Sequence, residues 1–325
     1  MNWGFQVAHN SQVEIAPGVK ISTMGIGAAT FGGLFTPMSD QDAFNVVKSA
    51  FDYGINYFDT APHYGKGSSE RRLGALLNSY PRDSYFLSTK IGRVLVPTTT
   101  GADPDFADAD QSVERLFDYS AKGVERSLKE SLERLGKESV DIVFVHDPDN
   151  HADVAIKEAY PALAKMRDQG IVKAIGIGMN QSAIPTRFVK ETDIDIVLLA
   201  GRYTLLDQSG ANDLLPAALA KGVSVLAAGV YNSGILANPI KGATYDYAPA
   251  SDEILARAKM ISDFLKEQGV SLSRAALQYP LRHPAVKALL VGSRSSAEVD
   301  TNVAAFNDTV PDSVWDALDE LLARK

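Results

Sequence analysis

Cysteine is missing from all 325 residues, which removes disulfides, thiolate nucleophiles and cysteine metal sites from the outset and suits a reducing compartment. There is no run of 18 or more apolar residues, so no membrane-spanning helix is expected. The segment MNWGFQVAHN lacks a basic stretch followed by an apolar one, and no secretory signal is expected. A cytoplasmic location is the resulting expectation. Positive charge is in deficit: 32 Lys and Arg against 40 Asp and Glu leave a net charge of −8. Nucleic acid and anionic membranes reward clustered cations, so neither is expected as a partner, and any anionic ligand must be held locally. No GxSxG elbow, Walker A loop or HExxH pair occurs. No Pro-, Ser- or Gly-rich linker divides the chain either, and residues 1–325 read as one domain with ample material for a core.

What is present is a rhythm: a short β-branched run, then a longer amphipathic stretch. The expected strands are ISTMGIG (21–27), NYFD (56–59), YFLSTK (85–90), DIVFVH (141–146), VKAIGIG (172–178), IDIVLLA (194–200), VSVLAA (223–228) and VKALLV (286–291). Between them lie helical patterns such as SDQDAFNVVKSAFDYG, where Ser39 caps, Phe44, Val47 and Phe51 share a face, and Gly54 stops the helix. Similar segments begin near Ser68, Ser120, Ala152, Gln181, Ala211, Ser251 and Ser295. Eight strands alternating with about eight helices indicate a (β/α)8 TIM barrel, with a doubly wound open sheet as the alternative. QVEIAPGVKIS, with its turn at Pro17 and Gly18, reads as an N-terminal β-hairpin plugging the barrel floor. Segments 91–112 and 237–250 are long and rich in Pro, Gly and Asp. They are expected as loops at the C-terminal face, where barrel enzymes build their sites. Trp315, Leu318, Leu321 and Leu322 form an apolar stripe expected to pack on the barrel, and a monomer or small homo-oligomer is expected.

Four ionisable residues fall at or just beyond neighbouring strand ends: Asp59, Tyr64, Lys90 and His146. Singly, each has an ordinary structural role available, as a solvated charge, a core phenol or a structural imidazole. Together on one rim they suggest chemistry. A buried Lys90 needs the counter-charge of Asp59. An ammonium beside Tyr64 favours the phenolate and lowers a pKa that starts near ~10, bringing the hydroxyl into range as an acid or base. A neutral His146 can orient a carbonyl or alcohol oxygen. Such a set suits proton transfer at oxygen while hydride moves at carbon, and since no side chain donates hydride, an organic cofactor is implied. VHDPDNH also offers His146, Asp147, Asp149 and His151 as metal ligands, but Pro148 forces an irregular turn and the cluster leaves Tyr64 and Lys90 without a role. No metal is expected.

The segments GINYFDTAPHYGKGSSERRLG, LSTKIGR, SLERLGKESVDIVFVHDPD and VGSRSSAEVDTN resemble the aldo-keto reductase superfamily over 21–302. The resemblance implies that Tyr64 is the proton donor or acceptor, that Lys90 and Asp59 tune it, and that His146 orients the substrate. His63 is not part of the family's set. AGRYTLLDQ, AAGVYNSGIL and HDPDNH are most similar to a branch of D-threo-aldose 1-dehydrogenases (L-fucose dehydrogenases) and pyridoxal 4-dehydrogenases. Both substrates exist as cyclic hemiacetals whose oxidation gives a lactone. The implied activity is therefore NAD(P)-dependent oxidation of a small-molecule hemiacetal, from an aldopyranose or alternatively from pyridoxal. An NADPH-dependent aldehyde reductase and a cofactor-binding regulatory subunit are the further alternatives.

By the same resemblance the stretch after the eighth strand holds the adenosine end of a nicotinamide cofactor, through Ser293, Arg294 and Asn302. Members that prefer NADPH usually carry a Lys before that Ser and an Arg five residues after it. Here Gly292 and Glu298 stand instead. A carboxylate repels a 2′-phosphate and accepts from ribose hydroxyls, so NAD is the preferred cofactor, with NADP possible through Arg294. Asn180 matches the residue that bonds the carboxamide, beside Met179, and Asn232 and Gly234 fall in the cofactor-side loop after the seventh strand. Ala228 replaces an aromatic that often stacks on the nicotinamide, leaving Tyr231 or Tyr203 as substitutes. Phe31 and Arg93 are expected to contact the substrate.

Overall fold

The computed structural model describes residues 7–323. The domain bounds expected at 1 and 325, and the first six residues of the segment read for a secretory signal, lie outside the described residues. In chain order the strands are a hairpin, β1 (Gln12–Ala16) and β2 (Val19–Ser22); then β3 (Met24–Gly27), β4 (Tyr57–Asp59) and β5 (Phe86–Ile91); and a second hairpin, β6 (Arg93–Pro97) and β7 (Val113–Phe117). They continue with β8 (Ile142–His146), β9 (Ala174–Met179), β10 (Ile196–Ala200) and β11 (Ser224–Ala228), a small hairpin of β12 (Thr244–Tyr245) and β13 (Ala248–Pro249), and β14 (Val286–Val291). β3, β4, β5, β8, β9, β10, β11 and β14 pair in that order, all parallel, and β14 returns to β3 to close a barrel. This is the (β/α)8 TIM architecture.

The outer layer comprises α1 (Asp40–Asp52), α2 (Ser68–Leu77), α3 (Ala121–Leu135), a short α4 (Ala152–Val154) leading to α5 (Tyr160–Asp168), α6 (Ala183–Glu191) and α7 (Leu214–Lys221). It ends with α8 (Asp252–Glu267), α9 (Leu272–Gln278), α10 (Ser296–Asn307) and α11 (Asp312–Ala323). Ser39 caps α1, accepting from the Asp42 N–H. The buried face of that helix is Ala43, Val46, Val47 and Ala50, while Phe44, expected inside, is 42% exposed. At ~100° per residue Phe44 falls on the edge of the stripe. Phe51 shares that edge and is rescued by stacking on Tyr80 at 3.7 Å.

Alternation along the strands decides which side chains meet. Tyr57, Ile142, Phe144, Leu198, Leu226 and Leu290 point into the barrel, and Ile15, Val19 and Ile21 of the first hairpin pack against them as a plug. Phe58, Val143, Val145, Ile175, Ile177 and Leu289 face the helices. The expected first strand at 21–27 is divided: Ile21 and Ser22 belong to the plug, and the barrel strand begins at Met24. Thr23 makes the break, its N–H and Oγ1 both donating to the Ser11 carbonyl at 2.9 Å.

Segments 91–112 and 237–250 leave the C-terminal ends of β5 and β11, as expected, but each carries structure. The first opens with β6, which pairs antiparallel with β7, and the second folds back at β12 and β13. At the other end of the chain Trp315 and Leu318 are buried beside Ile261 and Leu265 of α8, with Leu321 and Leu322 partly covered. Among the described residues no helix is long and apolar enough to cross a membrane.

Candidate active site

Asp59, Lys90 and His146 are inward residues at the ends of β4, β5 and β8, two places after the inward Tyr57, Ser88 and Phe144. Lys90 is fully buried, its Nζ donating to Asp59 Oδ2 at 2.5 Å and to the Thr60 carbonyl at 2.9 Å. Asp59 Oδ1 accepts from Ser88 Oγ at 2.7 Å, and Ser88 Oγ lies 2.9 Å from the Tyr57 hydroxyl. Ser88 is a supporting residue that a search for ionisable groups alone misses. Its position two residues before Lys90, on the same face, was the available signal.

Tyr64 sits on the loop after β4, where Gly65 has φ 59° and packs backbone to backbone on Gly32. A Cβ on Gly32 would lie 2.6 Å from the Gly65 nitrogen. The Tyr64 ring centre is 4.6 Å from Lys90 Nζ and 5.8 Å from the His146 ring. The structure thus brings the four residues together, but it reverses one electrostatic expectation. Burial, then the carboxylates of Asp59 and Asp147, hold the Tyr64 phenol well above its ordinary value of 10.0. The Arg93 guanidinium opposes that rise without overcoming it. Burial likewise pushes the Asp59 carboxyl up, with Lys90 opposing it.

His146 is buried, and burial together with the Arg93 guanidinium holds its imidazole well below 6.5. Its carbonyl accepts from the Tyr119 hydroxyl at 2.7 Å. His63 belongs to this centre by position: its ring lies 5.5 Å from His146 and 6.0 Å from Tyr64. Burial and the nearby cations bring its pKa down to about 2, and its Nδ1 is buried without a hydrogen-bond partner. The four acids and imidazoles of VHDPDNH do not gather. His146 faces Arg93, Asp149 accepts from Gln181, and His151 stacks on Phe117. Among the described residues no group of three or more His, Asp or Glu is arranged to hold a metal.

A cavity of about 540 Å³ runs from Asp59 and Tyr64 to Arg294, Glu298 and Asn302, within the ~300–1,000 Å³ usual for small-molecule sites. Its tetrad end is aliphatic, with Leu198, Ala228 and Leu290; its far end is polar; and Gly27 and Gly292 leave bare backbone in the wall. An elongated ligand with an apolar ring at one end and a polar nucleoside at the other fits these residues. Beside the cavity, Asn232 Oδ1 is buried without a partner, an acceptor in need of a donor.

The other expected residues divide. Gly234, Gly292, Arg294, Glu298 and Asn302 line the cavity. Ser293 is buried behind its wall, its Oγ accepting from Asn302 Nδ2 at 3.3 Å, while Asn302 Oδ1 accepts from the Tyr231 hydroxyl at 2.7 Å. Tyr231 lines the cavity as well, whereas Tyr203 packs on Tyr279 and His283. Glu298 sits in the first turn of α10: the N-cap Ser295 Oγ accepts from the Glu298 N–H, and Glu298 Oε2 accepts from the N–H of Arg294, the residue before the N-cap, at 2.8 Å. Arg294 turns its guanidinium to the carbonyls of Leu34 and Thr36.

Four placements differ from expectation. Met179 is the outward residue of its strand end and packs among the helices, and Asn180 is exposed beyond it. Phe31 is fully buried in the core between barrel and helices. Besides Tyr64 and Tyr231, the aromatics at the cavity wall are Phe35 and Tyr247, with ring centres 6.1 Å apart. Both take positive φ, 65° and 64°, which bulky residues rarely adopt outside constrained sites, and no sequence pattern announces that. Arg93, expected on the substrate, is turned onto His146 and Asp147. The Gly92 turn sends β6 away from the barrel and the side chain back toward β8.

The aldo/keto reductase family model matches residues 23–323. The chain is 41% identical over 314 residues to a D-threo-aldose 1-dehydrogenase from a Pseudomonas species, covering 94% of this chain and 95% of that protein. It is 38% identical over 322 residues to a pyridoxal 4-dehydrogenase from Microbacterium luteolum, covering 93% and 94%. An aldo-keto reductase from Bacillus halodurans in its holo form matches the fold with a TM-score of 0.78 at 22% identity, over 96% of each chain.

Proposed function

Because this chain belongs to the aldo/keto reductase family and is an oxidoreductase, we propose that it oxidises the hemiacetal carbon of an aldopyranose of the L-fucose or D-threo-aldose type to a lactone, using NAD. The carrying observation is Tyr64 beside the buried Lys90–Asp59 pair, at the aliphatic end of a cavity whose far end bears Glu298. The 41% identity to a D-threo-aldose 1-dehydrogenase supports the substrate class.

When bound, an oxidised nicotinamide supplies the hydride acceptor and one positive charge. The remaining work falls to the protein. The cavity excludes water at its aliphatic end, His146 hydrogen-bonds the substrate hydroxyl oxygen, and Tyr64 Oη takes the hydroxyl proton as the C–H hydride departs and C=O forms. Lys90, neutralised by Asp59, keeps a cation beside the phenol ring at no net local charge. In the resting protein Tyr64 is held as the neutral phenol, and positive charge brought into the cavity would favour the phenolate.

NAD over NADP rests on charge. Glu298 is a carboxylate on the cavity wall, which would repel a 2′-phosphate bound at that end, and the neighbouring Arg294 spends its guanidinium on the Leu34 and Thr36 carbonyls. The same chemistry on pyridoxal hemiacetal is the second reading, favoured by the 38% identity to a pyridoxal 4-dehydrogenase. Initial rates of NADH formation with L-fucose and with pyridoxal, each repeated with NADP, test both. Rapid NADH from the sugar alone is the expected result. Rapid NADH from pyridoxal alone selects the second reading, and silence with both beside efficient NADPH oxidation by simple aldehydes sinks the dehydrogenase assignment.

A further inference from the structure

We propose that Arg93 is a positioning residue that holds His146 as the neutral imidazole protonated on Nε2, so that the ring meets the substrate as a hydrogen-bond donor only. This rests on the reading above for the reaction, but its structural half stands without it.

The argument begins with what a guanidinium can do. Arg93 Nη1 lies 2.9 Å from His146 Nδ1, and a guanidinium has donors and no acceptor. Nδ1 must therefore accept, and a neutral ring with Nδ1 as acceptor carries its proton on Nε2. Arg93 is held in place from several sides. It is 8% exposed, its Nη2 donates to Asp147 Oδ2 at 3.1 Å, and its guanidinium lies 5.3 Å from the centre of the Phe117 ring on β7. The approach depends on Gly92, at φ 104°, where a Cβ would strike the Tyr119 ring at 2.1 Å.

The ring cannot easily escape this state by gaining a second proton. The groups facing it are Lys90 from β5, Arg93 from β6, Arg115 from β7, His63 and Tyr64 from the loop after β4, and Asp147 after β8. The cations oppose an imidazolium, and the acid is already paired with Arg93. Nε2 lies 3.4 Å from Asp147 Oδ2, beyond good hydrogen-bond length, so that carboxylate does not engage its proton strongly.

The chemical consequence is a division of labour. Were His146 protonated on Nδ1, Nε2 would offer a lone pair to the substrate hydroxyl and compete with Tyr64 for its proton. With the proton on Nε2, Tyr64 is the acceptor and His146 only orients the oxygen.

The test is nitrogen NMR of ¹⁵N-histidine-labelled protein without substrate, with His146 assigned by the signal lost in His146→Gln, together with kinetics of Arg93 variants on whichever substrate turns over. The expected spectrum shows Nδ1 unprotonated and Nε2 protonated, unchanged from pH 8 to 5. Arg93→Met should mix the tautomers and lower kcat roughly 10²-fold, the low end for loss of a well-placed proton-transfer arrangement. Arg93→Lys, which retains donors and no acceptor, should recover much of the rate. A wild-type His146 protonated on Nδ1 overturns the proposal. So does an Arg93→Met enzyme with unaltered tautomer and kcat but raised KM, which would make Arg93 a substrate contact. If Arg93→Met does not fold, the wild-type spectrum and Arg93→Gln decide: the Gln amide offers Nδ1 a donor or an acceptor, so the tautomers should mix there too, and an unmixed Nδ1-protonated ring in the parent overturns the proposal. A wrong substrate assignment would leave the spectrum as expected while the sugar assay stayed silent, so the two failures are distinguishable.

Discussion

Each face of strand β5 meets an ion pair with a buried carboxylate. Inward, Lys90 meets Asp59. Outward, Thr89 Oγ1 donates to Glu70 Oε1 at 2.7 Å, and Arg134 Nε of α3 donates to Glu70 Oε2 at 2.6 Å, between two helices. Glu70 and Asp59 are both almost wholly removed from solvent, and in both a hydroxyl and a cation share the two carboxylate oxygens. Burial and pairing therefore do not separate a structural ion pair from a functional one. What separates them is the third neighbour. The inner pair adjoins a phenol that lines an open cavity, and the outer pair is closed in by helix packing.

This contrast yields an order of effects. Tyr64→Phe removes the proton acceptor and nothing that holds the barrel together. Steady-state kinetics should show a loss of ~10³-fold or more, with a melting temperature close to the parent's. Asp59→Asn leaves Lys90 as an uncompensated buried charge; turnover should fall roughly 10²-fold, and the midpoint of urea unfolding should drop as well. Glu70→Ala should do the opposite: about 3 to 5 kcal/mol of stability lost in the same unfolding experiment, with kcat per folded molecule near the parent's. If Glu70→Ala cut kcat as deeply as Asp59→Asn, the two faces of β5 would be coupled and the contrast would fail.

The smallest effect, taken per pH unit and per group, concerns pH. His63, brought to about 2, and His146, held well below 6.5, are neutral in the folded protein. The unfolded chain protonates both below about pH 6.5, so it binds more protons there and stability falls as pH falls. For His63 the loss should approach ~1.4 kcal/mol per pH unit between about pH 6 and 4, with His146 adding to it below about pH 6.5. His63→Gln should remove the His63 share of that slope in urea titrations. A slope unaffected by His63→Gln would remove that imidazole from the set of buried neutral groups.

The barrel was legible because its signal is local and repeated. A β-branched run, a turn residue and an amphipathic helix recur along the chain, and the run at 286–291 became β14 without adjustment. The boundary at Thr23 was not legible, since it depends on a hydrogen bond to Ser11 across the plug hairpin. In the site, the period of two puts Asp59, Lys90 and His146 on inward faces, a matter of counting. Phe31 and Phe35 show where counting ends: four residues apart in one irregular loop, one is sealed in the core and the other stands at the cavity wall, by the turn of the backbone at positive φ.

Sequence alone determined the order of strands and helices, the absence of cysteine chemistry, and the strand ends that carry ionisable groups, because these depend on residues close together in the chain. Tertiary structure decided the rest. It joined Lys90 to Asp59 in preference to the Tyr64 oxygen, took Arg93 from an expected substrate contact to the back of His146, and made Glu298 a partner of the Arg294 N–H as well as a cavity wall. Each of those outcomes is a competition among several partners for one polar group, and which partner comes within about 3 Å depends on how separate strands and loops pack together.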